Sequence, residues 1–350
     1  CTRVEYVVRL AHLGPLDMTL ASLVHWDSVL LVQRFRSPAA DAWFTHFPLL
    51  GNEVQYALAI PLLAWYAQDA AVLRRLALFG ALSCFVANGL KGVFKLPRPP
   101  RSLHVGVGGA NHALIAQQYG FPSTHSAHAL VLSWVLAREW QLPGDITSGA
   151  AAMAVALHTL HVCLSRLYLG VHSLADVVGG LCVGAASVAA YELGVALIDQ
   201  PHLGVISYLG VISLLLGLFY ALLPPPRKTN SAFTETCKFA GLYLGTLIAG
   251  ATGPLWGGER TPLATGAAPY SAAQALEIAL EIALGLAALA VVRQALSALA
   301  KRAVRTLPVG AADIGEIVRQ VGVTAAALWW VVAVHPSAAA EPLLRLLGRR

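Results

Sequence analysis

Nine apolar runs, most of them close to 20 residues long, follow one another through this chain, separated by charged, proline-bearing or glycine-bearing breaks. A helix rises about 1.5 Å per residue, so about 20 apolar residues cross the roughly 30 Å of hydrocarbon in a bilayer. The runs fall at Pro48–Gln68, Leu76–Leu96, Ser123–Ala137, Ser148–Leu164, Leu174–Ile198, Leu203–Leu223, Phe239–Trp256, Ala275–Leu296 and Val318–Val334. Only 12% of the residues are charged and 57% are hydrophobic, whereas soluble domains carry about a quarter charged residues. The expected fold is therefore all-α: a polytopic membrane helical bundle with about nine transmembrane helices. Residues 1–45, with Trp26, Trp43 and scattered charges, read as an interfacial segment. Residues 46–200 read as the core unit and 201–350 as C-terminal transmembrane helices.

Composition also narrows function. The formal charge of +6 is small beside one local cluster that holds Lys91, Lys95, Arg98 and Arg101. Nucleic-acid binding asks for a broad solvent-facing basic patch, so no nucleic-acid partner is expected. The five cysteines form no CxxC pair and no zinc spacing, and Cys84, Cys163 and Cys182 lie inside apolar runs, where a buried thiol is the ordinary reading.

The polar residues gather in three clusters, each at the end of an apolar run. In the first, Lys91 is followed after six residues by Arg98-Pro99. The second is Phe121-Pro122-Ser123-Thr124-His125-Ser126, where a glycine-rich segment meets an apolar helical run. Pro122 suits the first turn of a helix, and Ser123 and Thr124 place hydroxyls and amide N–H groups at its positive end, a ready oxyanion site. Taken alone, that stretch reads as an ordinary helix cap. His125 adds a group that exchanges a proton near neutral pH. In the third, Ser165-Arg166 is followed after five residues by His172, with Asp176 four further on. On a helix that spacing puts His172 and Asp176 on one face, so the carboxylate can orient the imidazole. Counting crossings places all three clusters on the same side of the membrane.

This ordered set resembles the signature of the type-2 phosphatidic acid phosphatase superfamily, which also has a haloperoxidase branch. The Pro-Ser-Thr-His version and the run Ser165 to Asp176 are most similar to sphingosine-1-phosphate phosphatases. The resemblance covers residues 91–176 and extends upstream to Gly51-Asn52-Glu53; Thr124 stands where the broad superfamily commonly has glycine. It implies a phosphorylated lipid substrate, with Lys91, Arg98, Ser123, Thr124 and Arg166 binding phosphate. It further implies that His172, oriented by Asp176, attacks phosphorus, while His125 protonates the departing alkoxide and later activates water. No cofactor and no metal are implied. The resemblance points to the endoplasmic reticulum membrane with the site facing the lumen, although the distribution of basic residues mildly favours a cytosolic face.

Glu53 stands near the start of the first run. It either pairs with a basic neighbour such as Lys95 or, aided by Asn52, receives the ammonium group of a sphingoid-base phosphate. Two other enzymes keep the same site, a polyprenyl diphosphate phosphatase and a lipid phosphotransferase. A non-catalytic transporter or scaffold is the reading from another class, and Glu277 and Glu281, one turn apart and expected to face the bundle interior or the interface, are its only support.

Overall fold

A computed structural model describes residues 26–46, 53–66, 70–106, 118–139, 149–198, 231–252, 272–305 and 312–333. These residues form ten α-helices and no strand, apart from a single bridge between Pro97 and Tyr119. In chain order the helices are α1 (Asp27–Gln33), α2 (Pro38–His46), α3 (Glu53–Tyr66), α4 (Ala70–Phe94), α5 (Thr124–Glu139), α6 (Gly149–Tyr168), α7 (Leu174–Ile198), α8 (Ser231–Thr252), α9 (Ala272–Arg305) and α10 (Ala312–Ala333). The segment after α4 contains only one short 3-10 turn, Arg101–Leu103.

Four stretches are long and apolar enough to cross a membrane: Val72–Phe94, Gly149–Tyr168, Leu174–Gly194 and Ile278–Arg305. They mark an integral membrane protein. The other described helices do not reach that length and composition within the described residues. Helices α3 and α5 have 14 and 16 residues, about 21 and 24 Å of rise. Helices α8 and α10 reach 22 residues but carry Glu235 and Lys238, and Asp313, Glu316 and Arg319, within their first eight residues. The run expected at 203–223 lies outside the described residues.

The spanning helices turn apolar faces outward. On α6, Met153, Leu157, Leu160 and Leu164 are exposed, while Ala151, Val155, Thr159, Val162 and Arg166 on the opposite face are buried. On α7, Leu174 and Val178 are exposed, and Cys182 continues that row at four-residue spacing. Cys182 is thus not the buried thiol its apolar run led us to expect, whereas Cys84 and Cys163 are buried. An apolar run in a membrane helix has lipid as well as protein to face, which is why hydropathy alone misassigns it.

The described residues group into two compact units. The first comprises 26–46, 53–55, 82–106, 118–139, 149–198 and 231–236. Within it α5 packs on α6 and α7, and α1 packs on α6. Val29, Cys163, Leu167 and Val177 form one buried cluster, and Ala87, Ala127 and Val183 another. Gly180 lets α7 approach the start of α5, since a Cβ there would run into the Ser123 carbonyl. The N-terminal helices strap the loops that follow α4 and α6: Gln33 Nε2 donates to the carbonyls of Leu103 (2.7 Å) and Tyr168 (2.9 Å). Gly170, at φ +68°, makes the turn beside Leu103, where a side chain would be strained.

The second unit comprises 56–66, 70–81, 237–252, 272–305 and 312–333. Its core includes an edge-to-face contact of Tyr56 with Phe239 at 4.9 Å, and Trp65 Nε1 donates to the Val331 carbonyl at 2.8 Å. Glu316 pairs with Arg319 one turn away. Glu281 is buried on α9, on the interior side expected for it, and Glu277 lies one turn earlier on the same helix.

Candidate active site

The first cluster begins in the last turns of α4. Lys91 is only 4% exposed, and its Nζ donates to Asn88 Oδ1 (3.0 Å) and Thr124 Oγ1 (3.3 Å). The ammonium therefore joins the first cluster to the second. Helix α4 stops because Lys95 adopts φ +52°, a left-handed stop that turns the chain into Pro97-Arg98-Pro99. Lys95 itself is exposed. Gly120 N donates to the Leu96 carbonyl at 2.8 Å, so the two ends of the intervening segment lie side by side.

Helix α5 starts one residue later than the motif led us to expect. Ser123 is its cap, with Ser126 N donating to Ser123 Oγ at 3.3 Å, so Pro122 precedes the cap and does not fill the first turn. The Ser123 amide is not a free donor, because it gives its proton to the Asp176 carbonyl at 2.8 Å. Ser126 Oγ also donates to Ser123 Oγ at 3.1 Å, which leaves the Ser123 hydroxyl proton to give elsewhere. His125 follows, its ring 6.0 Å from that of His172, and its Nδ1 has no hydrogen-bond partner among the described residues.

The third cluster straddles the end of α6 and the start of α7. Ser165 and Arg166 lie inside the last turn of α6, which runs four residues past the expected end at Leu164. Ser165 Oγ donates to the Val162 carbonyl at 2.7 Å and accepts from Arg166 Nε at 3.1 Å, so it holds the buried guanidinium in place. His172 stands two residues before α7 begins, so it does not share a helical face with Asp176. A reciprocal helix cap brings the two together instead. Asp176 N donates to Ser173 Oγ at 3.2 Å, and Ser173 N donates to Asp176 Oδ2 at 2.8 Å. The same carboxylate oxygen lies 3.3 Å from His172 Nδ1.

Arg98 fixes the protonation of that imidazole. Its Nη1 lies 2.9 Å from the Val171 carbonyl and 3.1 Å from His172 Nε2, and its Nη2 donates to Gln118 Oε1 at 2.9 Å. A guanidinium only donates, so Nε2 must offer its lone pair and the ring proton sits on Nδ1, facing Asp176. Burial, reinforced by the charge on Arg98, holds the His172 pKa well below its ordinary value. The imidazole is therefore neutral near pH 7. Burial also lowers Arg98, to about 10, which leaves it cationic. The result is a neutral imidazole whose single Nε2 lone pair is engaged by Arg98, and which can attack an anionic centre once the guanidinium turns to that centre's oxygens.

Lys91, Arg98, Thr124, His125, His172 and Asp176 thus converge, with Arg166 an electrostatic neighbour of both His125 and His172. Glu53 opens α3, and Asn52 lies outside the described residues. Among the described residues no three of His, Cys, Asp and Glu form a metal-ligand group. Three contributors were missed in the sequence. Ser173 carried a usable signal, the Ser-x-x-Asp cap pattern ahead of an apolar run. Asn88, a polar residue one turn before Lys91, carried a weaker one, and Gln118 carried none.

Comparison with known proteins agrees with this geometry. Residues 72–195 match the PAP2 superfamily. The Dictyostelium discoideum protein named "Probable sphingosine-1-phosphate phosphatase" is 30% identical over 237 residues, 63% of this chain and 55% of that protein. Human sphingosine-1-phosphate phosphatase 2 is 36% identical over 140 residues, 39% of this chain and 33% of that protein. A dihydrosphingosine 1-phosphate phosphatase of Schizosaccharomyces pombe is 25% identical over 217 residues, 60% of this chain and 52% of that protein. The chain therefore spans about half the length, or less, of the curated relatives it matches. No solved structure matches. The three polar clusters, in the expected order, all lie inside the segment 72–195 that matches the PAP2 superfamily.

Proposed function

We propose that this chain is a lipid phosphate phosphohydrolase that works without a metal, acts on sphingoid-base phosphates and passes through a phosphohistidine on His172. One observation carries the reading: Arg98 and Asp176 bracket the His172 ring, leaving a neutral Nε2 lone pair beside a guanidinium. A phosphomonoester near pH 7 is close to dianionic, and its transition state spreads charge over the non-bridging oxygens. Lys91, Arg98 and Arg166 offset that charge, with the hydroxyls of Ser123 and Thr124 as short neutral donors. His172 Nε2 bonds to phosphorus as the P–O bond to the lipid breaks, and His125, which takes up a proton as the dianionic phosphate binds beside it, gives that proton to the departing alkoxide. Water, losing a proton to His125, then attacks phosphorus; the P–N bond breaks, releasing inorganic phosphate and restoring His172.

Residues 46–200 form the catalytic core in this reading, between an interfacial segment at 1–45 and C-terminal membrane helices at 201–350. The full chain crosses the bilayer about nine times and resides in the endoplasmic reticulum membrane. The relatives named for sphingosine-1-phosphate and dihydrosphingosine 1-phosphate support the substrate class. Glu53, with Asn52, supplies the carboxylate that receives the substrate ammonium, a cation that phosphatidate lacks. The test is phosphate release in detergent with EDTA present, comparing sphingosine-1-phosphate with phosphatidate. We expect EDTA-resistant turnover, faster on the sphingoid lipid, and a selective fall of about 5-fold to 100-fold in kcat/KM on that lipid for Glu53→Gln. Activity lost to EDTA and restored by magnesium contradicts the metal-free reading, and an equal fall on both lipids removes Glu53 from recognition.

Arg166→Lys isolates the contribution of guanidinium shape. Lysine keeps the charge but cannot match two phosphate oxygens at once or hold the bond to Ser165 Oγ. We expect kcat/KM to fall by about 1.5–3 kcal/mol of transition-state stabilisation. A wild-type value would show that Arg166 acts only as a point charge.

A further inference from the structure

Asn88 is fully buried, and its amide sits between the phosphate cradle and a helix outside the family-matched segment. Its Oδ1 accepts from Lys91 Nζ at 3.0 Å. That orientation is chemically determined, because an ammonium only donates and an amide nitrogen cannot accept. Its Nδ2 therefore faces the first turns of α8, 3.0 Å from Thr236 Oγ1, 3.2 Å from the Ala232 carbonyl and 3.4 Å from Glu235 Oε2. It also lies 3.3 Å from Cys84 Sγ, one turn back on α4. Thr236 gives its own proton to the Ala232 carbonyl at 2.8 Å, so its lone pairs are what Asn88 meets. Two N–H groups thus find several acceptors, and the amide is held from the α8 side.

We propose that Asn88 is a positioning residue for Lys91, and that the start of α8, through Thr236, is built into the phosphate site by way of Asn88. A lysine has four rotatable carbons, and a buried ammonium needs acceptors to stay charged and in place. Thr124 Oγ1 supplies one of them and is itself a candidate phosphate donor. Asn88 Oδ1 supplies another that does not touch substrate, so it holds Lys91 in the same position before, during and after turnover. This gives the start of α8 a purpose at the site: its first turns brace the cation that receives phosphate. The inference rests on the reading of Lys91 as a phosphate ligand.

The test measures phosphate release from sphingosine-1-phosphate in detergent, together with the orthovanadate concentration that half-protects the chain against thermal unfolding. We expect Asn88→Ala to lower kcat/KM about 10-fold to 100-fold and to weaken vanadate protection. In a Lys91→Ala background the same change should alter kcat/KM by less than about 3-fold, because Asn88 acts through the missing ammonium. Thr236→Val, which keeps shape but loses the hydroxyl, should lower kcat/KM by about 3-fold to 10-fold, and Thr236→Ser should recover most of it. If Asn88→Ala fails to fold, the Thr236 pair decides: loss in Val with recovery in Ser supports the inference, and equal activity in both overturns it. A full additional loss in the Lys91→Ala background also overturns it, since that is what a structural role gives. A wild-type chain that binds vanadate but releases no phosphate fails the enzymatic reading, while the vanadate affinities of the variants still decide the role of Asn88. A wild-type chain that vanadate does not protect overturns both.

Discussion

His172→Ala is expected to reduce phosphate release by roughly 10⁴-fold or more, to the background of the assay. The side chain supplies a nitrogen lone pair at Nε2, beside Arg98 Nη1, on a ring whose Nδ1 faces the Asp176 carboxylate. Lys91, Arg98 and Arg166 remain in the variant, so lipid binding should change far less than turnover. The expected signature is thus a collapse of kcat with a modest change in KM. Alanine also removes a buried ring, so thermal unfolding in the same detergent must confirm that the variant is folded. A folded His172→Ala protein that keeps more than about a tenth of wild-type kcat would exclude His172 as nucleophile.

Asp176→Asn is expected to cost roughly 10²- to 10⁴-fold in kcat, with little change in KM. The carboxylate oxygen Oδ2 serves both Ser173 N and His172 Nδ1, and it holds the ring proton on Nδ1. An asparagine can keep its oxygen toward Ser173 N, but it loses the charge that favours the imidazolium character developing as Nε2 forms its bond. If its NH₂ turns toward the ring instead, the proton moves to Nε2 and the lone pair is lost. Either orientation slows attack, and the helix cap survives in the first. A normal kcat in Asp176→Asn would mean that Arg98 alone sets the tautomer.

The candidate site was legible in the sequence because its signals are local and ordered. Lys91, Arg98, His125, Arg166, His172 and Asp176 stand at fixed spacings beside apolar runs, and the structure brings them into one region. What was misread is how they meet. The four-residue spacing of His172 and Asp176 looked helical, but α7 starts at Leu174 and the pair is joined through the Ser173 cap. Pro122 was likewise placed one step too far into α5. Contacts over long separations left no local trace: Asn88 meets Thr236 across 148 positions, and Gln33 meets Tyr168 across 135. The apolar runs predicted helices, and every run that falls on described residues is helical. Length and composition by themselves mark four described stretches as spans.

Covalent trapping tests the proposed chemistry most directly. Wild-type chain is mixed with sphingosine-1-phosphate labelled on phosphorus, quenched in base within one turnover and digested for peptide mapping. We expect base-stable, acid-labile label on the peptide that contains His172, at a level that rises with the rate of turnover, and none on His172→Ala. Label on a different residue, or label that persists on His172→Ala, would contradict the assignment of His172 as the group that takes the phosphoryl.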